Sequence, residues 1–372
     1  MQDVHFAGAR SLALFAATGR PSWGSARTMS DSQRVRVPAG KVAVMLNANA
    51  GRVRKKHARL VKELLPDAFL LWTRSLEEAN DGVEALLESG IETIFAGGGD
   101  GTIIDVANRL LRYQEIPRLG VLRLGTGNAL ATWVGARSVA DDLTSWSRGQ
   151  PYEEVQMRLV EADGERFPFA GLGWDAAALN DYKQLKERME ATALRGLSQQ
   201  LWVWLAAIFG STVPRMAVDR VAPMARIRVT RGEAWRVNLA GDRVGPPVLE
   251  GGLLYEGPAH LCAFSTTPYY GYAIRMFPHA TRVASHMHLR VSAMDVSTVV
   301  NEIHRLWTGD LVHEKLHDFV AEQVEIRFER PVPYQVGGDA RGVRERIRVG
   351  LSALSMPVLR FSRPSGDPTK GV

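Results

Sequence analysis

Six consecutive residues, Gly97-Gly98-Gly99-Asp100-Gly101-Thr102, separate an apolar run from a helix-like stretch. Glycine lets the backbone take positive φ and approach a ligand closely. Successive amides followed by a helix N-terminus make a site for phosphate oxygens. Thr102 adds a hydroxyl at the helix start. Asp100 narrows the chemistry. A carboxylate inside an anion-binding loop repels phosphate unless a metal ion or a transferable proton mediates. It suits an Mg²⁺ ligand or a general base on an attacking hydroxyl. The bland alternative is a glycine turn needed only for packing. A second loop, Leu124-Gly125-Thr126-Gly127-Asn128-Ala129, argues against it, and a third, Asn47-Ala48-Asn49-Ala50-Gly51, lies upstream.

These loops need a sheet to hold them. Apolar runs at 42–46, 69–72, 91–96 and 119–124 read as strands, each followed by a helix-like segment. Ser75 with Glu78 three residues on reads as a helix start. Four such alternations predict parallel βαβ units, hence an α/β fold with a doubly wound N-terminal domain. Ligands then sit at the carboxyl ends of the strands, where all three loops fall. After Gln150 the pattern changes. Segments 154–161, 166–170, 225–230, 234–239, 260–265, 286–291 and 324–329 read as strands, with turns expected at Asp163-Gly164 and Arg231-Gly232. This predicts a mainly antiparallel β domain with a helical insert over about 176–209. The expected division is a tail at 1–40, a nucleotide domain at 41–150 completed by 351–363, a β-rich domain at 151–350 and a tail at 364–372.

The loops and the residues around them resemble the diacylglycerol kinase catalytic-domain family, which includes bacterial lipid kinases, sphingosine kinases and ceramide kinases. The carriers are Gly-Gly-Asp-Gly-Thr, the Gly-Thr-x-Asn loop and the upstream Asn-x-x-x-Gly. The resemblance implies ATP-dependent phosphoryl transfer to a lipid hydroxyl, with a diacylglycerol-like acceptor favoured. It implies an ATP site lined by Asn47, Asn49, Gly51, Thr73, Gly98, Gly99, Asp100, Gly101, Thr102, Gly125 and Thr126, with Asn128 bracing the loop. Gly171-Leu172-Gly173-Trp174-Asp175-Ala176 is similar to the family's Gly-x-Gly-Phe-Asp-Ala. Three positions depart. Gly337 stands where the family has the acid often assigned as base, leaving Asp339 beside it. Ala129 stands where Asp is usual, and Ala284-Ser285 where many members have Asp-Gly in a structural metal site. Asp100 and Asp339 are therefore the expected catalytic and Mg²⁺-holding residues.

Composition sets outer limits. The chain has 372 residues and a formal charge of +6. That mild excess allows contact with an anionic surface or an anionic substrate and does not by itself argue for nucleic acid. One cysteine, Cys262, excludes a disulfide framework and a multi-thiolate zinc site. The single cysteine makes a reducing compartment the expectation, and the resemblance implies a cytoplasmic protein with peripheral membrane contact, in a role such as phospholipid biosynthesis. The longest apolar run, 201–210, has half of the roughly 20 residues a spanning helix needs. A short apolar patch at 12–17 is a weak signal-peptide pattern, and Met29 is a second candidate start. Oligomeric state stays open between monomer and homodimer.

Two segments read two ways. Residues 52–62 carry six Lys or Arg, either a phosphate- or lipid-facing patch or a solvated helix face. Residues 183–213 place basic side chains beside Trp202 and Trp204, either a membrane edge or a packed helix. His313-Glu314-Lys315-Leu316-His317 matches the zinc-protease pattern, which requires a helix. It lies far from the loops and lacks an extended motif. The rival functions are an NAD kinase-like phosphotransferase, which shares Gly-Gly-Asp-Gly, and a nucleotide or lipid sensor without catalysis.

Overall fold

The computed structural model describes residues 41–190 and 221–361. The expected tails, the Met29 start and the Trp-rich part of the insert lie outside the described residues.

Four βα units open the chain. They are β1 (Val42–Asn47) with α1 (Lys55–Leu64), β2 (Phe69–Thr73) with α2 (Leu76–Glu88), β3 (Thr93–Gly98) with α3 (Asp100–Leu110), and β4 (Arg118–Arg123) with α4 (Ala129–Trp133) and α5 (Val139–Ser147). All four strands are parallel, in the order β4-β3-β1-β2. The apolar runs of β1, β3 and β4 are buried on both faces, as helix-covered parallel strands require, while edge strand β2 is only partly buried. Met45, Ile94 and Val121 feed one core layer, while Val44, Leu46, Phe95 and Leu122 feed the other. The period of two along each strand makes that split. The Ser75 hydroxyl accepts the Glu78 amide at 3.1 Å, the helix start expected of it.

The remaining elements are β5 (Tyr152–Ala162), β6 (Glu165–Phe167), β7 (Phe169–Gly173), α6 (Trp174–Glu190), β8 (Met224–Val237), β9 (Arg243–Leu249), β10 (Leu253–Pro258), β11 (Leu261–Ser265), β12 (Met287–Ser292), α7 (Val296–Asn301), α8 (Ile303–Thr308), β13 (Leu316–Val336) and β14 (Asp339–Phe361). β13 organises them. It pairs antiparallel with β12 through its first residues, with β8 and β14 along its length, and with β7 at its end. β7, β11 and β12 pair in turn, so the circuit β13-β12-β11-β7 closes on itself. Closure removes exposed edges. Its interior holds Phe167, Phe264, Leu289, Ile326 and Phe328. β14 belongs to both regions. Its first half pairs with β13, its last third with β5, and Val358 lies beside Leu119 of parallel β4.

Several expected elements differ. Arg231-Gly232 is not a turn: β8 runs through it, with Gly232 at φ +68° where the pairing with β13 shifts register. A glycine at positive φ inside a strand is the mark of a bulge. Pro168 splits the expected 166–170 strand into β6 and β7, since proline cannot donate to a ladder. β9 escaped notice because Gly245, Pro246 and Pro247 interrupt it, and it pairs with β8 alone. The helix expected over 102–113 starts at Asp100 and ends at Leu110. His313-Glu314-Lys315-Leu316-His317 is not helical. His317 lies on β13 and His313 in the preceding loop, so the i,i+4 histidine geometry of a zinc site does not form.

Candidate functional site

The carboxyl ends of β1, β3 and β4 and the β13–β14 hairpin surround a cavity of about 700 Å³. Asn47, Asn49, Gly51, Gly99, Asp100, Gly101, Thr102, Gly125, Thr126 and Asp339 all line it. Thr73, Gly98 and Asn128 lie behind the wall instead. Thr73 ends β2 opposite Asn47, and its carbonyl accepts the Ala48 amide at 2.8 Å. A Cβ on Gly98 would meet the Thr102 hydroxyl at 2.5 Å, so this glycine lets Thr102 pack down.

Side chains tie the three loops together. The Asn47 amide donates to Thr102 Oγ1 at 2.9 Å, and Asn47 Oδ1 accepts the Asn49 amide at 3.0 Å. Asn128, at φ +53°, folds back on its own loop. Its Oδ1 accepts the Gly125 amide at 2.9 Å, and its Nδ2 donates to the Gly125 carbonyl at 2.7 Å. Gly125 passes so close to Gly99 that a Cβ there would sit 2.6 Å from the Gly99 Cα. This contact explains why the second loop needs a glycine at that point.

Asp100 spans two loops. Its carboxylate accepts the Ala129 amide at 3.1 Å and the Leu130 amide at 3.0 Å, the first two amides of α4. Burial pushes its pKa upward, while those amides and Arg123 oppose the shift. Its side chain is thus engaged as a brace. Asp339 stands differently. Gly337 (φ +56°) and Gly338 (φ +90°) form a two-residue hairpin turn, where both positions need positive φ. The turn delivers Asp339 over the first turn of α3, within 3.1 Å of where a Gly101 Cβ would be. A helix N-terminus carries partial positive charge, so a carboxylate is stabilised there.

A buried polar chain fixes that hairpin. The Tyr270 hydroxyl donates to Asp175 Oδ2 at 2.9 Å, and Gln335 Nε2 donates to the same oxygen at 3.1 Å. Gln335 Nε2 also bonds the Tyr270 hydroxyl, and Gln335 Oε1 accepts the Gly338 amide at 3.0 Å. Burial raises the Asp175 pKa against the pull of these two donors. The Gly-x-Gly-Trp-Asp segment now has a physical reason. A Cβ on Gly171 would fall 1.9 Å from Asp175 Oδ2, and Gly173 turns at φ +105° against the His260 carbonyl.

Sequence reasoning missed several lining residues. Asp105 lies one turn along α3 from Gly101 and faces the cavity with Asp339. Burial raises its pKa, Arg109 and Arg341 oppose this, and Asp339 adds to it. Its spacing from Thr102 on a helix was the available signal. Tyr270 and Tyr272 come from a loop that carried no signal. The Tyr272 amide donates to the Gly127 carbonyl at 2.8 Å, which seats this loop on the second glycine loop. Tyr272 and Ala273 are left-handed at φ +59° and +61°, a costly conformation often found at functional sites.

The basic stretch forms α1. Arg52, Arg54, Lys55, Lys56, Arg59 and Lys62 are exposed, and Val61 turns into the core. Both earlier readings of this stretch survive, because Ala50 and Gly51 just before it line the cavity. Among the described residues no group of three or more His, Cys, Asp or Glu is placed to hold a metal ion. No helix among them is long and apolar enough to cross a membrane.

Residues 41–156 match the diacylglycerol kinase catalytic domain family. The resemblance expected from the loops is therefore shown over that stretch. A probable lipid kinase YegS of Escherichia coli (strain K12 / DH10B) is 46% identical over 61 residues, which is 16% of this chain and 20% of that protein. A probable lipid kinase YegS-like protein of Enterobacter sp. (strain 638) is 38% identical over 80 residues, 20% of this chain and 27% of that protein. The matches thus span about a fifth to a quarter of the length of these relatives. The fold extends much further. A putative diacylglycerol kinase from Bacillus anthracis str. Sterne superposes with a TM-score of 0.58 at 17% identity, covering 88% of this chain and 98% of that one. A second diacylglycerol kinase structure from the same organism gives 0.56 at 15% identity, covering 87% and 97%. The α/β parallel sheet followed by an antiparallel β region is the architecture they share.

Proposed function

We propose that this chain is a lipid kinase that transfers the γ-phosphoryl group of ATP to a lipid hydroxyl, with a diacylglycerol-like acceptor. The observation that carries this reading is the convergence of three cross-braced glycine loops and the carboxylates Asp100, Asp105 and Asp339 on a single cavity. Phosphoryl transfer needs positioning and charge neutralisation more than covalent chemistry. The amides of the first two glycine loops and the start of α3 supply positive potential for phosphates. Asn47 and Thr102 hold the loops in register.

Mg²⁺ is usually held by one or two carboxylates plus the nucleotide's phosphates and water. Asp339 and Asp105 fit that demand, and Asp100 joins them only by releasing an α4 amide. Bound there, Mg²⁺ neutralises charge on the transferring phosphoryl group. Asp339 is the carboxylate we assign to the acceptor hydroxyl, and Asp100 is assigned to hold the loop that shapes the phosphate site. The rival readings are an NAD kinase-like enzyme and a sensor, the latter motivated by Gly337. On the kinase reading the protein works at a membrane surface without crossing it, as a monomer or a homodimer.

The test is transfer of labelled γ-phosphate from Mg-ATP to a panel of lipids in mixed micelles, with NAD as a soluble competitor. Labelled diacylglycerol supports the proposal. Labelled NAD alone, or nucleotide binding with no labelled product, moves the assignment to the corresponding rival.

A further inference from the structure

The outer face of the antiparallel sheet carries an array of arginines remote from the cavity. Arg226 and Arg228 on β8, Arg327 on β13, and Arg346 and Arg348 on β14 are all exposed. They share one face, because Ala225, Ile227, Ile326, Phe328, Ile347 and Val349 between and beside them are buried. Register stacks them. Arg226 pairs with Arg327 and Arg327 with Arg346, so one row across three strands is all arginine. The next row runs Arg228, Glu325, Arg348.

Like charges directly opposite each other on a sheet repel. Only part of this repulsion is relieved within the protein. Glu325 lies 3.9 Å from both Arg327 and Arg348 and bonds Arg346 at 2.5 Å, and Glu256 pairs with Arg226. Among the described residues, Glu256 and Glu325 are the carboxylates paired with these five guanidinium groups, exposed Glu329 follows Arg327 on the same face, and Arg228 donates to the Gly251 carbonyl at 3.2 Å. Strands about 4.8 Å apart, with alternate residues about 6.7 Å apart, make this a closely spaced cationic array. Exposed Met224 extends the same face on β8, and exposed Leu253 lies opposite Arg228.

We infer that this face docks the protein on an anionic phospholipid bilayer. Charge complementarity selects the partner. A multiply cationic surface with solvent-facing apolar side chains matches phosphate headgroups above an apolar layer, and guanidinium binds phosphate in bidentate fashion. A nucleic acid groove would call for a protruding helix or ribbon. This face is a separate surface from α1, which begins four residues after the cavity-lining Gly51. The inference concerns binding alone, so it stands or falls apart from the kinase reading.

The experiment is co-sedimentation of the full chain with neutral phosphatidylcholine vesicles and with vesicles that also contain phosphatidylglycerol. Binding to the anionic vesicles alone is expected, with loss between about 0.05 M and about 0.5 M salt. The Arg226→Gln/Arg327→Gln/Arg346→Gln protein should bind them on the order of a hundredfold more weakly, roughly fivefold per arginine. Its thermal melting should be unchanged, because all three side chains are exposed. A second variant, Arg228→Gln/Arg348→Gln, should show the same loss in smaller measure. The inference is overturned if both variants bind as the parent does, if Lys55→Gln/Lys56→Gln/Arg59→Gln alone removes binding, or if a DNA duplex is bound through these arginines and the vesicles are not.

Discussion

Asp100 and Leu130, thirty residues apart, are joined by a 3.0 Å hydrogen bond from the Leu130 amide to the Asp100 carboxylate. With the Ala129 amide on the other oxygen, Asp100 closes the N-terminus of α4 from inside the neighbouring loop. The residue that drew attention as a base holds two glycine loops at a fixed spacing.

Asp100→Asn should therefore act through the loops. Its amide nitrogen would face a backbone donor, a cost of about 1–3 kcal/mol. Nucleotide affinity should fall by about tenfold, since that is the factor 1.4 kcal/mol makes. Asp339→Asn should weaken Mg-nucleotide binding no more than Asp100→Asn does, yet cut phosphoryl transfer by about a hundredfold or more. Fluorescent-nucleotide titration beside turnover separates the two. The reverse pattern would exchange the roles assigned to these acids.

Gly337 offers a gain-of-function test. An Asp at φ +56° is tolerable in a hairpin turn at a cost of about 1 kcal/mol. Its Cβ would meet only Ile104 Cδ1, at 2.3 Å, the mobile end of a side chain. Gly337→Asp, with Ile104→Val to make room, should raise kcat if the family's missing acid limits this protein. An unchanged kcat in a folded variant would show that Asp339 already serves.

Gly171→Ala should be severe. The added methyl would fall 1.9 Å from Asp175 Oδ2, in a fully buried strand. We expect a loss of about 1–3 kcal/mol from overpacking, with loss of the Asp175–Gln335–Gly338 chain that seats Asp339. Gln335→Leu keeps the volume but not the bonds, so it should lower kcat more than melting temperature. Equal losses in both would make Gln335 a purely structural residue.

Acid should weaken the β region through one buried histidine. His279 is 2% exposed, and neither ring nitrogen has a hydrogen-bond partner. Burial, with His288 nearby, lowers its pKa from 6.5 to about 4. The unfolded chain therefore takes up this proton first, so the contribution is complete above pH 6.5 and is lost as pH falls towards 4. Burial works against the Asp318 carboxylate, but Arg290 and His288 outweigh it and hold its pKa well below the usual range, so its loss comes at still lower pH. His279→Leu should flatten the fall in melting temperature between about pH 6.5 and about pH 4. An unchanged slope would place the acid sensitivity elsewhere.

The parallel sheet and its loops were legible because their signals are local. A buried strand, a glycine turn and a helix start each occupy about six to ten residues, and their spacing repeats. Asp105, Tyr270 and Gln335 were not legible. Asp105 reads as one more charge on an amphipathic helix, and the other two gain meaning only when distant strands bring them to the cavity. β13 and β14 were underread for a related reason. Each serves different neighbours along its length, so its burial pattern changes midway and no single period runs through it.

β14 has one more consequence, for the order in which the chain assembles. Leu119 of β4 is paired with Val358, 239 residues later (358 − 119). During synthesis the glycine loops and their helices emerge before β14, yet one margin of their sheet has no partner until β14 appears. β5 waits as well, since its long partner is the same late strand. A contact that distant is slow to form, and an unpaired strand margin invites pairing with other chains. Nascent chains stalled before β14 should therefore be the species that chaperones hold, and a truncation a few residues short of Val358 should yield aggregate rather than a smaller folded protein.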